Sequence, residues 1–591
     1  MTTPPNPEPE LQAMQTLVSL FHQGRHPDLA RQARSLTRRF PGNGFGWKAL
    51  GLALLHLEQF AEAQQAMECA VARLPDDGEA HCNLGIILQQ RQRLREAEVC
   101  LRRALTLQPG HVPAWFHLAL LLKEQQRLPE AEAAYRQVAA LEPDHANALD
   151  NLGNLLTGQE RLPEAEAAYR QALRARPGHA NARNNLGFLL SMQGRHDEAE
   201  ACFRQALASQ PDHLLALNNL GSLLVERRRF AAAEEVFLQA LRHQPDCADA
   251  QWNLALLHLS QGGFREGWTL YESRLHPRHS RRETMNTTPF EGSFPMWRGE
   301  DLTGKTLLIL PEQGFGDQVQ FCRFIAVLRS RPVRSVTLVC PPALERLFRR
   351  LAGVERVLTP RPDPDYPPHD YWTFLLSLPL RLGSTLETIP ATLPYLTPPA
   401  QALEAWRERL TPEGFRVGLV WRGNPGLSHD NQRSLPGLAT LAPLWSVPGV
   451  VFFSLQKGPG EREARSPPPE QPLRPLGEGM RDFADTAAII HLLDLVICVD
   501  TATAHLAGAL GKPCWVLLQA WDTDWRWFHD RSDSPWYPGV MRLFRQQRPR
   551  EWTPVVRRVT EALAREVGAG GRRMLTCAGL PPSAGQQGAL P

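Results

Sequence analysis

The sequence predicts an α-helical solenoid followed by an α/β half built on two parallel sheets. Three observations carry this. Pro41, Pro75, Pro109, Pro143, Pro177, Pro211 and Pro245 stand 34 residues apart without a slip, and a fixed period of that length marks stacked helix-turn-helix units. From about residue 301 onward, short apolar strands alternate with helical runs, the texture of a parallel, doubly wound sheet. That alternation begins twice, on either side of the proline-rich stretch near Pro398.

With Pro at position 32 of each unit, position 8 reads Gly51, Gly85, Ala119, Gly153, Gly187, Gly221 and Ala255. Position 20 reads Ala63, Ala97, Ala131, Ala165, Ala199 and Ala233, and position 24 reads Met67, Leu101, Tyr135, Tyr169, Phe203, Phe237 and Tyr271. Small residues let neighbouring helices approach, and the bulky residue fills the groove between them. Pro ends the second helix, because it lacks a donor and disfavours a helical residue before it. The pattern resembles the tetratricopeptide repeat. Residues 1–43 read as a tail with a worn first unit, and 44–281 as the array. His111, His145, His179 and His213 share the period and fall in the turns between units, so they read as structural.

Position 6 is Asn83, Asn151, Asn185, Asn219 and Asn253, with Ala49 and His117 in the remaining units. Asn is a mediocre helix former, so its recurrence calls for a reason. A ladder of amides is able to hydrogen-bond the backbone of an extended peptide at regular intervals. The alternatives are local capping and simple duplication.

Composition bounds the rest. A chain of 591 residues, 43% hydrophobic and 21% charged, fits several soluble globular domains. The net charge of +3 comes with no Lys- or Arg-dominated stretch, which argues against a nucleic-acid partner. No signal peptide and no integral membrane segment are expected, since no run of ~18 apolar residues occurs. Ten scattered cysteines without a Cys-x-x-Cys pair suggest free thiols in a reducing cytoplasm.

Residues 282–300 read as a linker, 301–400 as a first Rossmann-like half, 401–566 as a second, and 567–591 as a disordered tail. Ligands of such sheets bind at the carboxyl ends of strands. Two strand-to-helix junctions are chemically promising. In the first, Gly314-Phe315-Gly316-Asp317 follows the strand Thr306 to Leu310. Its glycines allow close approach, and Asp317 stands at a helix start, where Asp is also a common cap. In the second, Asp500-Thr501-Ala502-Thr503-Ala504-His505 follows an apolar strand. Hydroxyls, free amides and a helix N-terminus converge there, as a diphosphate requires. Asn424, Arg433 and Lys457, with Arg422, follow two further strands and supply polar and positive groups to one wall. Trp525, Arg526 and Trp527 either border the donor pocket or, as clustered aromatics more often do, belong to the core. Asp363-Pro364-Asp365 and Asp522-Thr523-Asp524 look like metal pairs only superficially, so no metal is expected.

Taken together, these blocks resemble heptosyltransferase-like glycosyltransferases of the GT-B fold, of the family 9 type, joined to tetratricopeptide repeats in bacterial proteins. The matching segments are Glu312 to Asp317, Arg433 to Pro436, Val499 to Ala507, Leu510 to Pro513 and Asp533 to Pro538. A more distant likeness is to protein O-GlcNAc transferase. The resemblance implies an inverting, metal-independent transferase with a nucleotide-diphosphate sugar as donor substrate and no cofactor. Asp317 would be the base, with Glu312 the runner-up. Asp500, Thr501, Ala502, Thr503 and His505 would hold the donor with Asn424, Arg433 and Lys457. A protein or peptide on the concave face of the repeats would be the acceptor, held by the Asn ladder. Ala502 departs from the glycine usual in that family and puts the donor identity in doubt. An inactive interaction scaffold and a small-acceptor enzyme of envelope saccharides are the alternatives.

Overall fold

The computed structural model describes residues 8–281, 285, 290, 292–360, 366–410, 414–426, 430–521 and 523–568. The Asp363 to Asp365 segment, Asp522 and the tail from residue 569 lie outside them. The chain forms two compact units, Met1–Leu223 and Leu224–Pro591.

The first unit is a run of helix pairs. Glu8–His22 and His26–Arg39 form the worn first pair; Gly44–His56 with Phe60–Arg73 opens the regular series, which continues through Ala180–Met192 with His196–Ser209. The helices end just ahead of the periodic prolines, as at Arg73 before Pro75 and Leu107 before Pro109. A Cβ added to Gly153 would lie 2.5 Å from the Tyr169 ring, and one on Gly187 would lie 2.7 Å from Phe203. The small residue at position 8 is therefore the hollow into which position 24 packs. The periodic histidines are N-caps: His111, His145, His179 and His213 accept the amides of Ala114, Ala148, Ala182 and Ala216 on Nδ1 at 3.1 to 3.3 Å. An Arg–Glu lattice of the same period was not evident from sequence. Arg161 Nη1 bridges to Glu132 of the preceding unit at 2.8 Å and its Nη2 to Glu164 at 2.6 Å, and Arg195 repeats this with Glu166 and Glu198. Such exposed pairs contribute little individually.

The second unit begins with the helices Phe230–His243, Ala248–Ser260 and Phe264–Tyr271. Two parallel sheets follow. The first holds β1 (Thr306–Leu310), β2 (Ser335–Val339), β3 (Arg356–Leu358) and β4 (Tyr371–Phe374) in the order β3-β2-β1-β4. The second holds β5 (Phe415–Val420), β6 (Val450–Ser454), β7 (Leu473–Pro475), β8 (Leu495–Val499), β9 (Cys514–Leu518) and β10 (Met541–Arg545) in the order β10-β9-β8-β5-β6-β7. Read outward from β5, the second sheet has the 3-2-1-4-5-6 order of a doubly wound fold, whose switch point lies between β5 and β8. In the first sheet the corresponding point lies between β1 and β4. One core joins the helices to both sheets, through Trp252, Trp268 and Tyr271, Leu307 and Phe321, and Leu506 and Trp536. The strands β7 and β10 and the helices Phe483–Leu492 and Thr553–Gly568 were not anticipated. Among the described residues the cysteines are free thiols, and no helix is long and apolar enough to cross a membrane.

Candidate functional site between the two sheets

Both promising junctions sit at switch points, and the fold brings them together. The loop after β1 leads into the helix Phe315–Phe321, and the loop after β8 leads into Ala502–Ala509. Gly316 is the point of contact. A Cβ there would lie 3.0 Å from His505 Cδ2 and 3.5 Å from the Cα of Ala502, so glycine is what lets the two turns touch. Replacing Gly316 with Val should force the turns apart and destabilise the protein by about 1–3 kcal/mol; a melting temperature equal to wild type would refute this close packing.

Asp317 is half-buried. Its Oδ2 accepts the Gly314 amide at 2.9 Å, and its Oδ1 accepts from Arg526 Nη2. Burial raises its pKa; the Arg526 charge opposes this and Asp524 reinforces it. Arg526, 4% exposed, also donates to Gln320 Oε1 at 2.6 Å and to both Asp524 oxygens at 3.0 and 2.9 Å.

Asp500 ends β8. Burial, followed by the charge of Asp524, pushes its carboxyl up to about 6, with Arg433, the Trp527 indole and Arg526 pulling the other way. Thr501 turns its hydroxyl back to the Val499 carbonyl at 3.3 Å. As N-cap it makes no side-chain bond to the helix, so the first turn, with Ala502 and Thr503, keeps donors available. His505 is buried, stacks on Trp527 with 5.1 Å between ring centroids, and meets the Tyr537 hydroxyl at 2.9 Å through Nδ1. Burial, then Arg526 and Arg323, hold its pKa well below the ordinary imidazole value. It is therefore neutral at pH 7, and its Nδ1 bond to a buried hydroxyl fits a satisfied buried histidine whose opposite ring edge faces Gly316.

Other expected residues lie differently. Glu312 is 1% exposed and takes both of its oxygens into a two-point pair with Arg274, at 2.8 and 2.9 Å, while also accepting the Leu376 amide at 2.9 Å. Its side chain is 0% exposed and tied to Arg274, whereas that of Asp317 is 20% exposed, so Asp317 is the better placed of the two to meet an acceptor. Lys457 is exposed and donates to the Gly477 carbonyl at 2.7 Å. Arg422 pairs with Glu463 at 2.9 Å, and Arg433 with Asp430 at 3.0 Å. The positive wall is thus largely neutralised, while Arg433 still pulls the Asp500 pKa down. Asn424 is exposed and accepts the Gly426 amide at 3.0 Å.

In the Asn ladder, Asn185 Nδ2 donates to Asp150 and Asn219 Nδ2 to Asn184, each at 2.9 Å. These amides join adjacent units. Asn83 keeps a buried Nδ2 without a partner, and Asn151 and Asn253 are half-buried. Sequence reading set Arg526 at the border of a donor pocket or in the core, took Asp524 as incidental, and gave no role to Gln320 or Tyr537. The available signal was an arginine between two tryptophans just after Asp524. Among the described residues, no group of three or more His, Cys, Asp or Glu is placed to hold a metal ion.

Family models described as tetratricopeptide repeat match residues 48–112, 82–146, 116–180 and 178–246, so the chain carries these repeats. A structure of PilF from Pseudomonas aeruginosa is 21% identical, covering 35% of this chain and 96% of that one, with a TM-score of 0.32. A structure of YrrB, a tetratricopeptide-repeat protein with an unusual peptide-binding site, is 21% identical over 32% of this chain and 96% of that one, with a TM-score of 0.28. Protein FlbA of Caulobacter vibrioides is 32% identical over 335 residues, 53% of this chain and 54% of that protein. The chain thus spans about half the length of the curated relative it matches.

Proposed function

We propose that the protein is a glycosyltransferase that moves a sugar from a nucleotide-diphosphate donor to a hydroxyl of a protein acceptor bound by the repeats. The observation that carries this reading is the meeting of the Asp317 turn with the Asp500-to-His505 turn at Gly316. A carboxylate and an uncapped helix start thereby face one place at the switch points of two parallel sheets. A helix N-terminus favours a diphosphate. Neutral His505 is able to donate from Nε2 when Nδ1 accepts from Tyr537.

The chemistry is a single displacement. The acceptor oxygen attacks the anomeric carbon, the bond from that carbon to the diphosphate oxygen breaks, and Asp317 takes the hydroxyl proton. The nucleoside diphosphate leaves with the electron pair, stabilised by the first turn of Ala502–Ala509 and by Arg433. The configuration at the anomeric carbon inverts. The acceptor is read as protein because the repeats bind and position other chains.

The test is a panel of UDP-, GDP-, dTDP- and ADP-sugars, measured by calorimetry for binding and by nucleoside diphosphate release for turnover. One member should bind with Kd in the micromolar range. Absence of binding by every member would remove the enzyme reading and leave an interaction scaffold.

A further inference from the structure

We propose that Arg526 is the positioning residue of the candidate base, fixing the direction of the Asp317 carboxylate and keeping it ionised in a buried place. This rests on the transferase reading above.

Each nitrogen of the Arg526 guanidinium is engaged around Asp317. Its Nε is held by Gln320 at 2.6 Å and its Nη1 by Asp524 at 3.0 and 2.9 Å. The guanidinium carbon lies 4.5 Å from the Trp525 ring centroid and 5.4 Å from that of Phe321. Only Nη2 is left for Asp317. The side chain is clamped on four sides and is not a mobile finger. A guanidinium donates but neither accepts nor loses a proton, so it cannot relay the acceptor proton. It supplies direction and charge.

Both are needed. A buried carboxyl prefers its neutral form, and a neutral Asp317 is not a base. With Oδ2 on the Gly314 amide and Oδ1 on Arg526, the carboxylate is fixed at both oxygens. Asp524 completes the device. It keeps Arg526 paired when Asp317 takes up a proton, so that step costs one hydrogen bond and does not strand a buried cation. The other ionisable groups acting on Asp317 and Arg526 include Asp524, Tyr271, Asp500 and Tyr537, with His505 neutral.

The experiment compares the full-length protein with R526K, R526M and the double variant R526M/D317N. The rate of nucleoside diphosphate release is followed against pH with the UDP-, GDP-, dTDP- or ADP-sugar that the wild type accepts. In R526M the acid limb should move up by about 1–2 pH units. Below that limb the rate should fall roughly tenfold or more, recovering toward alkaline pH with donor Kd within about threefold. R526K should restore most of the wild-type profile. A uniform loss with an unmoved acid limb would overturn the proposal.

Should the wild type accept no donor, the transferase reading fails, and the pairing is read from stability alone. A carboxyl with a raised native pKa loses stability as pH rises between its unfolded and folded values. R526M should therefore lose melting temperature on going from pH 5 to pH 8 where R526M/D317N does not. Identical pH dependence in the two variants would overturn the pairing. Should R526M not fold, R526K against R526K/D317N gives the same comparison.

Discussion

Asp317→Asn should reduce transfer by at least about 10²-fold at every pH while leaving donor affinity within about threefold. The side chain keeps its size and its place beside Gly314, so packing against the Ala502–Ala509 turn is preserved. What is lost is the proton acceptor, and no alkaline recovery should follow, because an amide does not titrate in that range. The same split between kcat and donor Kd separates Asp317 from residues that hold the diphosphate. Rates within tenfold of wild type, or a donor affinity lost together with transfer, would assign Asp317 a binding role instead.

The sequence displayed the solenoid because its constraints are local. A proline, a small residue and a ring must each recur at fixed positions for every unit to stack. The parallel sheets were legible for a similar reason, since buried strands are short apolar runs between helical ones. The two junctions could be found because each is a contiguous block. The pairing of Arg526 could not be, since its partner Asp317 lies 209 residues away in the chain, and a Trp-Arg-Trp run looks like core until that partner is placed. The same limit explains Lys457 and the Asn ladder. Both have the right residue types at the right spacing. Whether an ammonium points at a donor or at the Gly477 carbonyl, and whether an amide faces a peptide or Asp150, depends on packing that no local pattern records.

Glu312 and Asp317 illustrate the point most sharply, because both acids stand in one strand-to-helix junction and only long-range contacts tell them apart. Arg274, 0% exposed, holds both Glu312 oxygens and reaches Ser377 at 2.8 Å and Glu272 at 2.6 Å; Arg381 in turn holds Glu272 at 2.7 Å. Arg274→Met should therefore leave Glu312 as an uncompensated buried charge, while Glu272 keeps a partner. Loss of one member of such a pair costs about 3–5 kcal/mol. Burial already raises the Glu312 pKa against the pull of Arg274, so removing the arginine raises it further. The unfolded chain then binds fewer protons than the folded one across that window, and stability falls as pH rises. The R274M deficit should be larger at pH 8 than at pH 5, measured by urea unfolding at each pH. Arg274→Met combined with Glu312→Leu should recover a large part of the loss, since two apolar side chains leave no charge without a partner. Glu312→Gln should lower stability but spare transfer per folded molecule. A stable E312Q protein without transfer would make Glu312 the working base, and an R274M loss below about 1 kcal/mol would show that the pair does not anchor the helical segment to the loop after β1.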